Sequence, residues 1–242
     1  MDQHVVNYYK QYYRESSCER KIMKTQNLTK KFDEQIIFEN INLNFEEGNI
    51  YSIFGKNGVG KTTLLNILNG NLSFDGGQVI GNDDAIFLES NEVPFEFMTA
   101  DEFIIETFKF KNSDLNFSEK DELFFKLDFK PENKMIKEFS KGMKSKLYII
   151  IALLSNARIL LLDEPFTDID LFSFKSIEDI LKLKKQNMII IFSTHVPKIA
   201  FELSDKIIYL DKMSAQCLEN RFKSESELED YILQEMKRGI KP

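Results

Sequence analysis

One short segment combines glycine, lysine and threonine in a spacing that suits the binding of phosphate groups. It reads Gly55, Lys56, Asn57, Gly58, Val59, Gly60, Lys61 and Thr62, and Thr63 follows it. Three of the chain's 10 glycines fall within it, and glycine lets the backbone turn so that several N–H groups point at one anion. The Lys61 ammonium suits the outer phosphates of a nucleoside triphosphate, and the Thr62 hydroxyl suits Mg²⁺. All of these residues are therefore expected to bind a nucleotide and its metal ion.

Two adjacent carboxylates lie farther along the chain, directly after an apolar run. The run extends from Ile159 to Leu162, and Asp163 and Glu164 follow it. Sheets of parallel strands present their ligands at the carboxyl ends of the strands. Asp163 is therefore expected to hold Mg²⁺ or its water, and Glu164 to accept a proton from the water that attacks a phosphate. An Asp-Glu pair at a strand end is common, and only its combination with the phosphate-binding segment favours this interpretation.

The surrounding pattern predicts an α/β fold that positions both motifs. From Met23 onward, short runs typical of strands alternate with runs typical of helices, which indicates a sheet with crossover helices. The phosphate-binding segment lies between such a strand and a helix that Gly70 is expected to cap. Continuous apolar runs are typical of buried parallel strands. Four are expected, at Ile50–Phe54, Arg158–Leu162, Met188–Phe192 and, last of the set, Ile207–Leu210. The prediction is a P-loop NTPase core with a parallel-dominated sheet.

Three further regions complete the expected organisation. Phenylalanine is frequent between about residues 89 and 156, and we interpret this segment as an inserted α-helical lobe with an aromatic core. In the tail, residues 216–242, Ser224 and Glu227 have the spacing of a capping box that opens a helix. Residues 1–22 crowd four tyrosines among charged residues. We expect an extension of unknown role there, either weakly ordered, amphipathic and helical, or upstream of a true start at Met23.

Composition narrows the classes of function. With 242 residues, of which 43% are hydrophobic, the chain is expected to form one domain with a buried core. A formal net charge of -7 argues against a nucleic-acid partner. Two cysteines and the lack of a recognisable signal peptide favour a reducing cytosol. The apolar runs are shorter than the roughly 18 residues that a membrane-spanning helix needs. Any membrane role is therefore expected to act through a partner.

A third motif leads to a family resemblance. Phe139, Ser140, Lys141, Gly142 and Met143 lie shortly before the strand that carries the acidic pair. Ser140 suits the N-cap of a helix, and its hydroxyl and the first N–H groups of that helix offer an anion site. Together the three motifs resemble those of ABC transporter ATP-binding subunits, whose signature loop is usually written LSGGQ. Ser140 and Gly142 match that loop. Lys141 and Met143 depart from it, and similar lysine-containing loops favour an export type.

The resemblance implies a role for several individual residues. Ser140 and Gly142 would grip the γ-phosphate of an ATP held by an opposite subunit, so that two chains share each nucleotide. Asp170 resembles the D-loop aspartate, which lies across the dimer seam, and His195 resembles the switch histidine that contacts the γ-phosphate. Phe32 resembles the aromatic residue on which adenine stacks. The resemblance thus implies ATP and Mg²⁺ as ligands, hydrolysis of ATP and a dimer.

The chain departs from the family at the Q-loop, where a glutamine that senses Mg²⁺ is expected. The corresponding stretch reads Phe87, Leu88, Glu89 and Ser90. The Ser90 hydroxyl can bind Mg²⁺ directly or hold a water, but its reach is shorter than that of glutamine. The resemblance therefore implies an unusual coupling or hydrolysis rate.

The resemblance covers roughly residues 23–215, and three hypotheses about function follow from it. The first is an ATPase that pairs as a homodimer or heterodimer and drives an integral membrane partner from the cytoplasmic face of the cell membrane. The second is a partly degenerate subunit of a heterodimer, in which ATP mainly clamps the two chains together. The third is a family member outside transport, such as a metal-cluster assembly factor. The 102 positions between Lys61 and Asp163 leave no room for the long coiled coil of chromosome-type relatives. Translation-type relatives carry two cassettes, whereas this chain has one phosphate loop.

Overall fold

The computed structural model describes residues 21–89, 95–110, 113–211 and 213–238. Its strands are β1 (Ile22–Phe32), β2 (Gln35–Glu46), β3 (Ile50–Phe54), β4 (Gly76–Ile80), β5 (Ala85–Glu89), β6 (Ile159–Asp163), β7 (Ile189–Thr194), β8 (Lys206–Asp211) and β9 (Ser214–Glu219). Its helices are α1 (Lys61–Leu68), α2 (Ala100–Phe110), α3 (Phe117–Lys126), α4 (Lys141–Leu154), α5 (Leu171–Lys184), α6 (Pro197–Leu203) and α7 (Glu225–Arg238). Two 3₁₀ turns lie at Ile136–Glu138 and Lys185–Asn187.

A six-stranded sheet forms the centre of the fold, in the order β5-β6-β7-β3-β8-β9. The first five strands in this order are parallel, and β9 pairs antiparallel to β8. Every residue of β3, β6 and β7 is buried, as expected of strands that are covered on both faces. The carboxyl ends of these three adjacent strands therefore meet at one edge of the sheet, where the phosphate loop and the acidic pair emerge.

A second, antiparallel sheet has the order β2-β1-β4. Its strands β1 and β2 are long and irregular, with register shifts after Thr25 and Leu28. The two sheets meet where Phe38 of β2 bridges to Met213, and the Glu39 N–H donates to the Met213 carbonyl at 2.9 Å. A buried apolar cluster lies between the sheets and includes Phe38, Phe45 and Leu64.

The helices α2, α3 and α4 lie in the segment for which a helical lobe was predicted. Phe103, Phe108, Phe129 and Phe139 of this segment are buried together with the apolar side of α4. They share their cluster with one face of the central sheet, so the segment packs on the sheet itself. Packing in the core accounts for these four rings. The predicted aromatic core is wrong for other phenylalanines of the segment, which are exposed: Phe95, Phe97, Phe110, Phe117 and Phe125.

Helix ends follow the capping signals in the sequence. Ser140 is the N-cap of α4, and its Oγ accepts from the Met143 N–H at 3.2 Å. Gly70 follows α1 with a φ of 79°, and its N–H donates to the Ile67 carbonyl. At α7 the Ser224 Oγ accepts from the Glu227 N–H at 3.2 Å, while the Glu227 carboxylate accepts from the N–H of Lys223. The predicted N-cap is thus confirmed, and its return bond falls one residue earlier than in a standard capping box.

The predicted buried strands are present with small shifts of their bounds. Asp163 and Thr194, expected just beyond their strands, are the last residues of β6 and β7. The strand predicted last, β8, is followed by β9, whose mostly exposed side chains carry no continuous apolar run. Among the described residues, no helix has the length and apolar character needed to cross a membrane.

Candidate functional site

The phosphate loop lies between β3 and α1, at the carboxyl edge of the central sheet. Lys56, Asn57 and Gly58 are exposed at its tip, and Lys61 and Thr62 open α1 behind it. Gly60, the residue before α1, has a φ of 111°, which side-chain-bearing residues rarely adopt. A Cβ there would also lie 2.6 Å from the Ile37 Cγ2. The loop conformation therefore requires glycine at position 60 for two separate reasons.

The Lys61 side chain reaches back along the loop. Its Nζ donates to the Gly55 carbonyl at 2.9 Å and to the Lys56 carbonyl at 3.3 Å, and it lies 3.3 Å from Glu164 Oε1. The side chain is 6% exposed, so little water competes for its charge. Lys61 is thus a buried cation at the mouth of a loop whose N–H groups can accept an anion.

Thr62 and Asp163 form a compact pair of oxygen donors. The Thr62 Oγ1 donates to Asp163 Oδ2 at 2.6 Å, although 101 positions separate the two residues. Asp163 is buried, and its Oδ1 accepts from the Ser193 hydroxyl. A hydroxyl beside a carboxylate is a donor set that Mg²⁺ prefers.

Glu164 lies between Lys61 and His195. Its carboxylate oxygens are 3.1 and 3.2 Å from His195 Nδ1. Its backbone has a φ of 45°, and its N–H donates to Ser193 Oγ at 2.8 Å. The left-handed turn follows directly after β6 and separates the Glu164 side chain from that of Asp163. Two neighbouring carboxylates are thereby available for different tasks.

The signature residues and Asp170 form a second group. The exposed Ser140 caps α4, and Gly142 packs so closely on the loop after β6 that a Cβ would lie 2.5 Å from the Asp168 carbonyl oxygen. Asp170 is the N-cap of α5 and accepts from the Ser173 N–H at 2.9 Å. It also lies 2.8 Å from Lys146 Nζ. The hydrogen bond from Lys146 holds the pKa of the Asp170 carboxyl well below its ordinary value and outweighs the opposite effect of partial burial.

Phe32, the residue predicted to stack on adenine, belongs to the antiparallel sheet. Phe32 ends β1 and is 45% exposed, and Lys30 Nζ lies 4.6 Å from the centroid of its ring. An exposed ring is open to stacking, but a cation already occupies one position near it. Ser90 lies outside the described residues.

Two contributors to this arrangement were not identified from the sequence. Ser193, which is fully buried, contacts both Asp163 and Glu164. A polar residue at the end of an apolar strand, next to the strand of the acidic pair, was the available signal. Lys146 contacts Asp170 from another element, and no local pattern indicated that pairing.

The ABC transporter family profile matches residues 38–167, which include the phosphate loop, the signature loop and the acidic pair. A second profile, described as an AAA domain, putative AbiEii toxin of a type IV toxin–antitoxin system, matches residues 135–200. The first match covers more than half of the chain.

Curated relatives extend the similarity across most of the chain. An uncharacterized ABC transporter ATP-binding protein of Methanocaldococcus jannaschii is 32% identical over 202 residues, which cover 80% of this chain and 75% of the relative. A lantibiotic transport ATP-binding protein of Streptococcus pyogenes is 29% identical, with 86% of this chain and 95% of the relative covered. The human glucosylceramide transporter ABCA12 is 32% identical over 212 residues, 81% of this chain, but the match spans only 8% of that much longer protein.

Solved structures share the fold. The ATP-binding subunit of an ABC transporter superposes with a TM-score of 0.76 at 19% identity, covering 88% of this chain and 99% of that one. A chain from an inward-facing, putative metal-chelate type ABC transporter gives a TM-score of 0.68 at 22% identity, covering 82% of this chain and 83% of that one. The predicted fold class, a P-loop NTPase core with a mostly parallel sheet and added helices, is thereby confirmed.

Proposed function

Because this chain belongs to the ABC transporter family of ATP-binding proteins, we propose that it hydrolyses ATP as one half of a dimer and drives a separate transmembrane partner. The observation that carries the proposal is the convergence of Lys61, Glu164 and His195 beside the Thr62–Asp163 pair. The cation, the base and the oxygen donors that phosphoryl transfer requires are thus within contact of one another.

The donor set fits Mg²⁺. The Thr62 hydroxyl and the Asp163 carboxylate lie 2.6 Å apart, and both are hard oxygen ligands. These two residues would hold the ion, and the Ser90 hydroxyl is proposed to add a ligand or hold a water. When bound, Mg²⁺ would offset negative charge on the phosphate oxygens.

The residues of the chain then have distinct tasks. The loop from Gly55 to Thr63 binds the phosphates through its N–H groups, and Lys61 places its charge on the β and γ oxygens. Glu164 accepts a proton from water as the water oxygen bonds to the γ-phosphorus. The bond between that phosphorus and the bridging oxygen breaks, and ADP keeps the electron pair. His195, in contact with the Glu164 carboxylate, orients it and would reach the γ-phosphate.

The dimer follows from the second group of residues. The Ser140 hydroxyl and the start of α4 form an anion site that would grip the γ-phosphate of an ATP held by another copy or by a related subunit. Gly142 lets α4 approach the loop after β6, and Asp170 lies at the far end of that loop. Phe32 is proposed to stack on adenine. Whether the second subunit is identical or different does not change these assignments.

The proposed domains, location and membrane partner of the chain are based on its family and on the organisation expected from its sequence. The segment of about residues 89–156 is proposed as the lobe that transmits closure to the membrane partner within an ATPase domain of residues 23–215. Within the predicted tail of residues 216–242, α7 packs through Leu228 and Ile232. The chain would lie on the cytoplasmic face of the cell membrane, held there by its partner, without a nucleic-acid ligand. Recovery of an integral membrane protein with the tagged chain from detergent extracts would test the partner.

Replacement of the base tests the chemistry. In Glu164→Gln the amide cannot accept the proton, so kcat should fall by about 100-fold or more, while ATP binding persists. ATP with Mg²⁺ should then accumulate a dimer, seen by size-exclusion chromatography with light scattering. Phosphate release measures turnover.

Glu229→Gln provides the matched control, because Glu229 is exposed on α7. This variant should hydrolyse ATP at the rate of the unmodified chain and should not accumulate a dimer. Normal phosphate release by Glu164→Gln would remove Glu164 from the mechanism.

A further inference from the structure

The turn between β1 and β2 lies beside the phosphate loop. Phe32, the last residue of β1, pairs with Gln35, the first residue of β2. Two positions farther along β2, the Ile37 side chain comes so close to Gly60 that a Cβ there would lie 2.6 Å from its Cγ2. The strand pairing therefore places Phe32 near the loop that is proposed to bind the phosphates of ATP.

Lys30, two positions before Phe32, carries a buried charge. Its side chain is 8% exposed, and its Nζ lies over the Phe32 ring, 4.6 Å from the ring centroid. The same Nζ lies 3.8 Å from Asp75 Oδ2. Because a buried ammonium is costly unless it is paired, the carboxylate and the ring together hold it in place.

The Asp75 carboxylate is in turn fixed to the backbone of β1. Its Oδ2 accepts from the Lys31 N–H at 2.6 Å, and the Asp75 N–H donates to the Thr29 carbonyl at 2.9 Å. These two hydrogen bonds reach the residues on either side of Lys30. Asp75 therefore cannot move relative to the strand without losing them, and it gives the Lys30 ammonium one defined position.

The ammonium leaves one face of the Phe32 ring for a ligand. Phe32 is 45% exposed, although one of its faces is turned to Lys30. A cation over an aromatic ring is attracted by the ring electrons, and more strongly so when the cation is shielded from water. A ring held in this way loses little side-chain freedom when a nucleobase stacks on it. The arrangement thus prepares the opposite face for stacking.

We propose that Lys30, held by Asp75, is a positioning residue that fixes the Phe32 ring so that the base of the nucleotide stacks on the face opposite the ammonium. This inference rests on the proposed function, in which ATP is the ligand and Phe32 its stacking partner. Stacking on the base is the same before and during phosphoryl transfer. Lys30 therefore contributes to nucleotide affinity and KM, and it leaves kcat unchanged.

The test is the variant Lys30→Met, which keeps the aliphatic stem and removes the charge. Its Kd for a non-hydrolysable ATP analogue, measured by calorimetry, should rise by about 3-fold, while kcat at saturating ATP stays unchanged. Its Kd for inorganic triphosphate, which has no base, should equal that of the unmodified chain. Lys30→Arg should retain most of the analogue affinity, since a guanidinium also lies over aromatic rings and pairs with carboxylates.

A double variant separates this role from general destabilisation. Lys30 acts only through the Phe32 ring, so Lys30→Met should not weaken analogue binding further in a chain that already carries Phe32→Leu. Lys31→Met provides the matched control. Lys31 is the exposed neighbour of Lys30, and the variant removes the same charge but keeps the N–H that Asp75 accepts from. Its affinity for the analogue should equal that of the unmodified chain.

The outcomes distinguish the two proposals. Unchanged analogue affinity in Lys30→Met, or an equal loss of affinity for the analogue and for triphosphate, would overturn the positioning role while leaving the ATPase intact. Tighter binding in Lys30→Met would also overturn it, because the ammonium would then occupy the face that the base needs. Absence of ATP binding and hydrolysis in the unmodified chain would overturn the proposed function itself.

Discussion

Ser193 connects the two carboxylates of the site to the central sheet. Its hydroxyl donates to Asp163 and accepts from the Glu164 N–H, and the residue is fully buried. Leu162 pairs with Phe192 across β6 and β7, so the next residues, Asp163 and Ser193, emerge side by side. One hydroxyl thereby holds the acidic pair at the edge where both strands end.

The variant Ser193→Ala tests this connection. It removes a partner from both acidic residues, so the free energy of unfolding should fall by about 1–3 kcal/mol, and kcat should fall because Glu164 loses an anchor. Urea unfolding and phosphate release measure the two effects. Ser155→Ala, which removes a hydroxyl bonded to the Ala152 carbonyl at the end of α4, should leave kcat unchanged. Equal kcat values in the two variants would contradict the role of Ser193.

The roles of individual residues could be predicted where a motif consists of residues that are close together in the sequence. The phosphate loop, the acidic pair and the Ser140 N-cap each depend on neighbours within a few positions, and the sequence indicated all three. Lys146 with Asp170 depends on two elements packing together. No spacing along the chain encodes that distance, so only the folded structure reveals it.

At the scale of elements, α7 depends on its N-cap. The Ser224 hydroxyl accepts the Glu227 N–H, and the helix packs Leu228 and Ile232 against β8 and α6. Ser224→Ala should lower the free energy of unfolding by about 1 kcal/mol and speed amide exchange in α7. Ser226→Ala, an exposed position inside the helix, should be neutral or slightly stabilising, because alanine favours helix. Equal stability of the two variants would show that the cap contributes nothing.

The most deeply buried strands were the ones whose positions the sequence predicted best. The fully buried strands β3, β6 and β7 have mostly apolar sequences, and their positions were predicted to within two residues. The antiparallel sheet was not anticipated as a separate unit. Its strands β1 and β2 contain residues with positive φ, Asn27 and Asn40, and their register shifts interrupt the alternation of apolar side chains. The exposed β9 offered no hydrophobic pattern.

At the scale of the whole molecule, acidification should weaken the fold. Lysine hydrogen bonds lower the carboxyl pKa at Asp128, Glu132 and Asp170. At Glu178, burial raises the pKa, but the hydrogen bonds from Lys175 and Lys182 outweigh it and the net shift is downward. The folded chain therefore binds fewer protons than the unfolded chain near pH 4. The contribution of these carboxylates to the free energy of unfolding should be complete above the ordinary carboxyl pKa of about 4. It should be lost as the pH falls through the lowered pKa values.

Urea midpoints measured from pH 7 to pH 3 would check this dependence. The midpoint should change little above about pH 5 and decline below that. Glu178→Gln should flatten part of the decline, because the residue is 3% exposed and glutamine does not titrate. Glu229→Gln should follow the unmodified curve. Identical acid limbs in all three proteins would exclude Glu178 as a contributor.

Because Ile37 contacts Gly60, selection for nucleotide affinity also acts on a residue outside the phosphate loop. Ile37 belongs to β2, which contributes no atom to phosphate chemistry, yet its methyl group occupies the space that any Cβ at position 60 would enter. A bulkier residue at position 37 would displace the phosphate loop, as a mutation within the loop would. Ile37 should therefore vary as little as the glycine it touches, and a survey confined to the motif would overlook it.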